Sequence, residues 1–308
     1  MHDINFTHEH EVEEHDFLGC CLDCRQSLEI VKPLILGFSK DIKKYSQDAL
    51  TALDPEELYQ KFQIIDDLAH LNAGDSLAGM ILDDPKIRHE LPVIRSYYTT
   101  FFSIHERHLA KQLLNTKDPW LVFESFPLYP RYKALIKNQV ENQIKNQTEK
   151  TDFSADNVLA FIGCGPVPMS LILLSRLYKI RSIGIDIMPD SVSLARRVIA
   201  CLGLEDSITI VQGDETRLRE LDWNFVLVAA LAEPKIRIFQ NLRTILKEAA
   251  TRQPGNHNTL VIYRTYTGMR AVLYKPVQPD DINGFRIITE ILPTQRVNNT
   301  TIIAQLIE

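Results

Sequence analysis

Residues 158–170 read VLAFIGCGPVPMS, and this stretch decides the fold. VLAFIG (158–163) has the composition of a buried strand, and PMSLILLSRLYK after it has the apolar spacing of a helix. Between them the chain turns on Gly163 and Gly165, residues with no Cβ to keep a ligand away from the backbone. The N-terminus of the following helix attracts negative charge. A strand, a glycine turn and a helix in that order form a place for a nucleotide cofactor, with a plain tight turn as the alternative. A lone G-x-G carries little weight, and its setting is what strengthens it.

The same alternation continues toward the C-terminus. SIGIDI (182–187), SITIVQG (207–213), FVLVAAL (225–231) and LVIYRTY (260–266) read as strands, and PDSVSLARRVIACLG and PKIRIFQNLRTILKEAA read as helices. Strands alternating with helices predict a parallel sheet covered on both faces. FRIITEIL (285–292) and NTTIIAQLI (299–307) are separated only by PTQRVN, too short for a parallel crossover, so they predict an antiparallel hairpin. The expected fold class is therefore α/β. A parallel sheet ending in such a hairpin is the Rossmann-like architecture of class I S-adenosylmethionine-dependent transferases.

Upstream the character is helical. LTALDPEELYQKFQIIDDLAHL has apolar residues three and four apart behind an Asp54-Pro55 cap, and HELPVIRSYYTTFFSIHERHLAKQLL is a second long helical stretch with Pro92 near its start. DPWLVFESFPLYPRYKALIKNQVENQI begins on an Asp-Pro cap and should be interrupted at Pro127 and Pro130. These patterns predict a tail over 1–24, a helical domain over 25–150 covering the acceptor site, and a cofactor-binding domain over 151–308.

Bulk properties exclude several classes. The chain has 308 residues, 45% of them apolar, enough for one large core or two modest ones. A net charge of −6 with mixed signs gives no nucleic-acid footprint. No apolar run approaches the roughly 20 residues that span a bilayer. MHDINFTHEHEVEEHDF is acidic and His-rich, unlike a secretory signal or transit peptide, and five cysteines do not make a disulfide scaffold. The expectation is a cytoplasmic protein acting on a small molecule, with no nucleic-acid or membrane partner. Its oligomeric state is left open.

Asp186 ends the second strand, where an acid can accept both ribose hydroxyls. NAD proteins share that feature. Pro168 occupies the position where a dinucleotide fingerprint has Gly or Ala, and a second acid, Asp214, follows the third strand in QGDET. A ribose acid and an adenine acid without a pyrophosphate motif favour S-adenosylmethionine over NAD. The alternative for Asp214 and Glu215 is that they cap the next helix. The predicted cofactor set is Gly163, Gly165, Pro166, Asp186, Asp214, Glu215 and Ala230. Arg264 and Tyr266 end the fifth strand, at the edge that lines the ligand crevice of such sheets. Arg264 is a candidate grip for a substrate carboxylate or a plain ion pair, and Tyr129 and Phe126 are candidate pocket walls.

VAALAEPKIRIFQN, VIYRTYTGMRAVLYKPV, DDINGF and VNNTTI, with FIGCGPVPMS, IRSYY (94–98), DPW (118–120) and YPRY (129–132), resemble the nicotianamine synthase family. The likeness is nearest to its archaeal and bacterial members and runs over about residues 55–308. It implies S-adenosylmethionine used as a substrate. The 3-amino-3-carboxypropyl (aminobutanoyl) arm passes to an amine or amino-acid acceptor, methylthioadenosine leaves, and the product chelates metal. The resemblance also implies that Tyr132 is general base or amine orienter and that Glu106 binds the positive amine and tunes Tyr132. The alternatives are a single transfer onto histidine, an ordinary small-molecule methyltransferase, and a metal-responsive binding protein.

Two features pull elsewhere. His105-Glu106-Arg107-His108 has HExH spacing, not the HExxH of a zinc helix. Cys164 is placed like a nucleophile but reads better as a small filler. In the tail, His8, His10, Cys21 and Cys24 form a candidate Zn²⁺ or Ni²⁺ ligand set, with incidental residues of an acidic tail as the alternative.

Overall fold

The computed structural model describes residues 22–71, 74–145, 157–252, 260–294 and 297–307. Its contacts divide the chain into two compact units. One comprises residues 1–105 with 266–276, and the other comprises 106–265 with 277–308. This boundary differs from the change of composition near residue 150. The long helix α5 (Pro85–Leu114) runs through it, and the segment after the fifth strand belongs with the first unit.

The first unit is helical: α1 (Leu22–Ile42), α2 (Gln47–Thr51), α3 (Pro55–Ala69), α4 (Gly74–Asp83), the N-terminal part of α5 and a 3₁₀ turn at Gly268–Val272. α1 starts at Leu22, so it begins inside the stretch expected to be tail. α3 starts as its sequence dictates. The Asp54 carboxylate accepts the Glu56 amide at 2.9 Å, Pro55 needs no partner for its nitrogen, and Glu56 and Glu57 meet the positive end of the helix. The core is aromatic. Phe62 and Phe101 stack at 4.0 Å, and the Tyr97 hydroxyl donates to the Leu58 carbonyl at 2.9 Å. The 266–276 segment is fastened by the Arg95 guanidinium donating to the Ala271 carbonyl at 2.7 Å and by the Tyr98 and Tyr266 hydroxyls at 3.2 Å.

The second unit carries a seven-stranded sheet of order β3-β2-β1-β4-β5-β7-β6. β1 (Val158–Ile162), β2 (Arg181–Asp186), β3 (Ile208–Gln212), β4 (Phe225–Val228) and β5 (Leu260–Thr265) are parallel. β6 (Phe285–Ile291) and β7 (Thr300–Leu306) form the expected hairpin, and β7 pairs antiparallel with β5. Among the helices, α8 (Met169–Tyr178), α9 (Pro189–Cys201) and α10 (Lys235–Arg252) are the crossovers. α6 (Pro119–Glu124) and α7 (Tyr129–Lys145) precede the sheet. Pro127 does interrupt the helices, but Pro130 does not. It is the second residue of α7, where a missing amide costs no intrahelical bond. Pro92 lies inside α5, one turn further from the end than its sequence suggested.

Register brings the C-terminal ends of β1, β2 and β4 level: Ile162 pairs with Ile185 on one side and with Val228 on the other. The sheet grows from β1 in one direction through β2 and β3 and in the other through β4. That reversal is the switch point at which α/β sheets bind ligands. The glycine turn sits on it.

Candidate functional site

The turn after β1 is held open by backbone that only glycine adopts without strain, with φ of 80° at Gly163 and 71° at Gly165. The amides of Gly163 and Cys164 donate to the Ile185 carbonyl at 2.8 and 3.2 Å. The Gly165 amide donates to Asp186 Oδ2 at 2.8 Å, and the Met188 amide donates to Asp186 Oδ1 at 2.9 Å. Asp186 is thus fixed at the end of β2 with a backbone donor on each oxygen. Pro168 precedes α8 as its cap residue and offers no side-chain bond.

Glu106 stands against this turn. A Cβ added to Gly165 would lie 2.9 Å from Glu106 Oε2. The Tyr132 hydroxyl, from the first turn of α7, donates to Glu106 Oε1 at 3.5 Å, the long limit of a hydrogen bond. The Glu106 carboxyl is pushed up from 4.5 to about 8, first by burial and next by the charge of Asp186. The Tyr132 bond and the Arg107 charge oppose this. Glu106 keeps part of its surface open, as a group lining a crevice does. The structure thus brings together Glu106, Tyr132, Gly165 and Asp186, which the sequence nominated from four separate stretches.

The remaining nominees divide. Asp214 caps a 3₁₀ turn at Glu215–Glu220, with Oδ1 accepting the Thr216 amide at 3.0 Å and its hydroxyl at 2.5 Å. That hydroxyl bond is the chief reason its carboxyl lies below the ordinary value. Glu215 is buried and committed to α10. It accepts from Asn241 Nδ2 at 2.7 Å and pairs with Arg237 at 3.3 Å. Asp214 therefore makes a capping contact through one oxygen, and Glu215 is held by side chains of α10. Ala230 follows β4 and gives its carbonyl to the Lys235 ammonium at 3.0 Å. Pro166 is buried in the turn.

Arg264 is buried, with Nη1 donating to Ser170 Oγ at 2.8 Å, Nη2 donating to Gln139 Oε1 at 3.2 Å, and the guanidinium over the Phe161 ring at 5.7 Å. Both of these partners are neutral, and the guanidinium is turned into the structure. Tyr266 is fully buried among Tyr98 and Tyr274 of the first unit. Tyr129 meets Phe123 edge-on at 5.6 Å and lies under Lys133, and Phe126 is buried. Arg264, Tyr266 and Phe126 are thus buried by their contacts, and Tyr129 is half-buried.

The decoys resolve the same way. His105 packs against Phe101 at 4.3 Å and Tyr59 at 6.2 Å. Cys164 is buried, and burial followed by the charges of Asp186 and Glu106 drives its thiol pKa up, away from thiolate. Its sulfur fills the space over Gly184, whose added Cβ would lie 3.0 Å from it. His8, His10 and Cys21 lie outside the described residues, as does the side chain of Cys24.

Sequence reading missed Lys235. This buried side chain reaches the carbonyls of Ala230 and Ala232 and the Glu233 carboxylate at 3.7 Å, closing the loop after β4. Ala232 is the residue that a Cβ on Gly163 would strike, at 2.8 Å. A lysine opening an amphipathic helix reads as a solvated charge, and only EPK at the loop's end hinted otherwise.

Among the described residues no helix is long and apolar enough to cross a membrane. A family model described as nicotianamine synthase protein matches residues 76–308. A solved structure of MtNAS in complex with MTA and tNA superposes with a TM-score of 0.79 at 32% identity, covering 94% of this chain and all of that one. A variant of MtNAS in complex with S-adenosylmethionine gives 0.78. Nicotianamine synthase of Solanum lycopersicum is 26% identical over 237 residues, 73% of this chain and 70% of that one. L-Histidine 2-aminobutanoyltransferase of Pseudomonas aeruginosa is 24% identical over 148 residues, 48% of this chain and 53% of that one.

Proposed function

The chain belongs to the nicotianamine synthase family, and from that premise we propose that it moves the 3-amino-3-carboxypropyl arm of S-adenosylmethionine onto an amine and releases methylthioadenosine. The observation that carries this reading is the contact between Glu106 and the glycine turn. A carboxyl pushed up to about 8 lies against the backbone of the cofactor turn, within reach of a phenol.

The residues present fit the substrate. Gly163 and Gly165 leave the turn without side chains at the switch point, and Asp186 presents a fixed carboxylate at the end of β2, the position of a ribose acceptor. The sulfonium supplies three electrophilic carbons on one positive sulfur. Selection among them is positional, because alignment of nucleophile and carbon contributes most of the advantage. The acceptor nitrogen's lone pair forms the new C–N bond at the methylene of the amino-acid arm. The C–S pair stays on sulfur as a neutral thioether, and the nitrogen loses a proton. Tyr132 orients the amine through its hydroxyl, and Glu106 holds the positive nitrogen and takes the proton. An acid poised near the working pH is the efficient choice for that task.

The acceptor is a small amine or amino acid. Repeated transfer to make a nicotianamine-like chelator is the first reading. A single transfer onto histidine is the second, favoured by the likeness to the Pseudomonas aeruginosa enzyme. Incubation with S-adenosylmethionine alone and with histidine, followed by mass spectrometry, separates them, since one product mass gives acceptor and transfer count. Methylthioadenosine is the expected co-product. S-Adenosylhomocysteine in its place would overturn the reading.

A further inference from the structure

The two glycines of the turn share a backbone conformation and differ in what fills the space of the missing Cβ. At Gly163 it is the loop after β4, with Ala232 Cβ at 2.8 Å and Ala229 Cβ at 3.3 Å. At Gly165 the only described atoms within 4 Å belong to Glu106, Oε2 at 2.9 Å and the carboxyl carbon at 3.8 Å. The Gly165 amide meanwhile donates to Asp186. One residue therefore donates its amide to the acid of the cofactor site and leaves the place of its missing Cβ to the acid of the transfer. We propose that Gly165 is a positioning residue for the transfer: its missing side chain is the berth of the Glu106 carboxylate, so the glycine turn places the reacting acid as well as the cofactor.

This inference rests on the transferase reading and adds to it the reason for the second glycine. A side chain at 165 would not meet backbone. It would meet the far end of a flexible acid, which swings away, so the fold survives and the geometry of the Glu106–Tyr132 pair does not. The groups bearing on the carboxyl are Asp186 from β2, Tyr132 from α7, Arg107 on its own helix and Cys164 in the turn. Displacement from the turn carries Glu106 away from Asp186 and toward water, and both changes favour ionisation.

The test compares Gly165→Ala with Gly163→Ala, which bears similar backbone strain at φ of 80° against 71° but faces alanines instead of an acid. In Gly165→Ala, kcat should fall by about 10²-fold, the loss expected of a 1 Å misplacement. Methylthioadenosine binding should change little by comparison. Gly163→Ala should show the reverse split, with binding weakened more than turnover. Carboxyl-¹³C NMR of glutamate-labelled protein, with Glu106 assigned by Glu106→Gln, supplies a readout independent of turnover. Its titration midpoint should drop toward the ordinary carboxylate value in Gly165→Ala and stay put in Gly163→Ala. An unmoved midpoint with full kcat in folded Gly165→Ala overturns the proposal. A wild-type protein that releases S-adenosylhomocysteine overturns the transferase reading instead, whatever the midpoints do. Should Gly165→Ala fail to fold, the shorter acid of Glu106→Asp in the same chain restores folding if the berth is the reason. If it does not, strain at positive φ alone fixes the glycine, and the proposal fails.

Discussion

Glu106 and Arg264 are both charged residues of the sheet-bearing unit, both nominated from sequence, and their surroundings treat them oppositely. Arg264 spends its donors on Ser170 at 2.8 Å and Gln139 at 3.2 Å and lies over the Phe161 ring. A guanidinium stays charged in any setting, and here neutral oxygens hold it in one position. Glu106 accepts a long bond from Tyr132 at 3.5 Å, while burial and Asp186 work against its charge. A charge tied down by short bonds acts as a fastener. A charge that its neighbours disfavour is stored reactivity, which stability alone would not retain. A strand's C-terminal edge nominates Arg264 and the family resemblance nominates Glu106, and only the partners separate the two kinds.

The largest effect that tests this contrast is at Tyr132. Tyr132→Phe removes the hydroxyl and leaves the ring. If the pair is reactive, transfer falls by about 10²–10⁴-fold, the range for a lost acid–base group. Methylthioadenosine binding, measured by calorimetry, should stay near that of the parent, because the phenol does not touch the glycine turn's bonds to Asp186. Full activity in Tyr132→Phe would return Glu106 to the same class as Arg264.

The sheet was legible because local chemistry decides it. Buried strands such as β1 and β4 are unbroken apolar runs, the glycines mark the turn, and PTQRVN is too short for anything but a hairpin. The slot of β7 between β5 and β6 was not legible, since strand order depends on non-local pairing. The site was legible in part for the same reason. Asp186 is given by its strand end, but whether Asp214 binds or caps depends on Thr216, and whether Arg264 grips or fastens depends on Gln139, 125 residues away. Pro130 misled because a proline that breaks a helix interior is welcome in a first turn, and spacing alone does not say which it is. Glu106 and Tyr132 needed the resemblance, because they lie 26 positions apart on different helices, with α6 between.

Arg264→Met sharpens the other half of the comparison. The aliphatic chain keeps much of the packing, while Ser170 and Gln139 lose their partner. A stability loss of about 1–3 kcal/mol follows from leaving buried polar groups unsatisfied, measurable by urea unfolding. A fastener predicts an acceptor KM within a few fold of the parent. A rise in KM by an order of magnitude with unchanged stability would make Arg264 a carboxylate grip and erase the distinction.

The smallest effect is the most particular to Glu106. Its carboxyl titrates at about 8 in the folded protein against an ordinary 4.5, so between those values the native state holds more protons than the unfolded one. Stability then falls as pH rises through that window and is level outside it. Glu106→Gln keeps the shape and deletes the titration. Its unfolding midpoint should match the parent near pH 4 and exceed it increasingly up to about pH 8. The gain there should be on the order of 1 kcal/mol, well below the full shift at 1.36 kcal/mol per unit, because the side chain is partly open to water. The same variant should lose transfer, since an amide takes no proton. A variant that gains stability at high pH while losing activity shows an acid kept for chemistry at a cost to the fold. A stability difference independent of pH would mean that the turn tolerates the charge, and Glu106 would then differ from Arg264 only in sign.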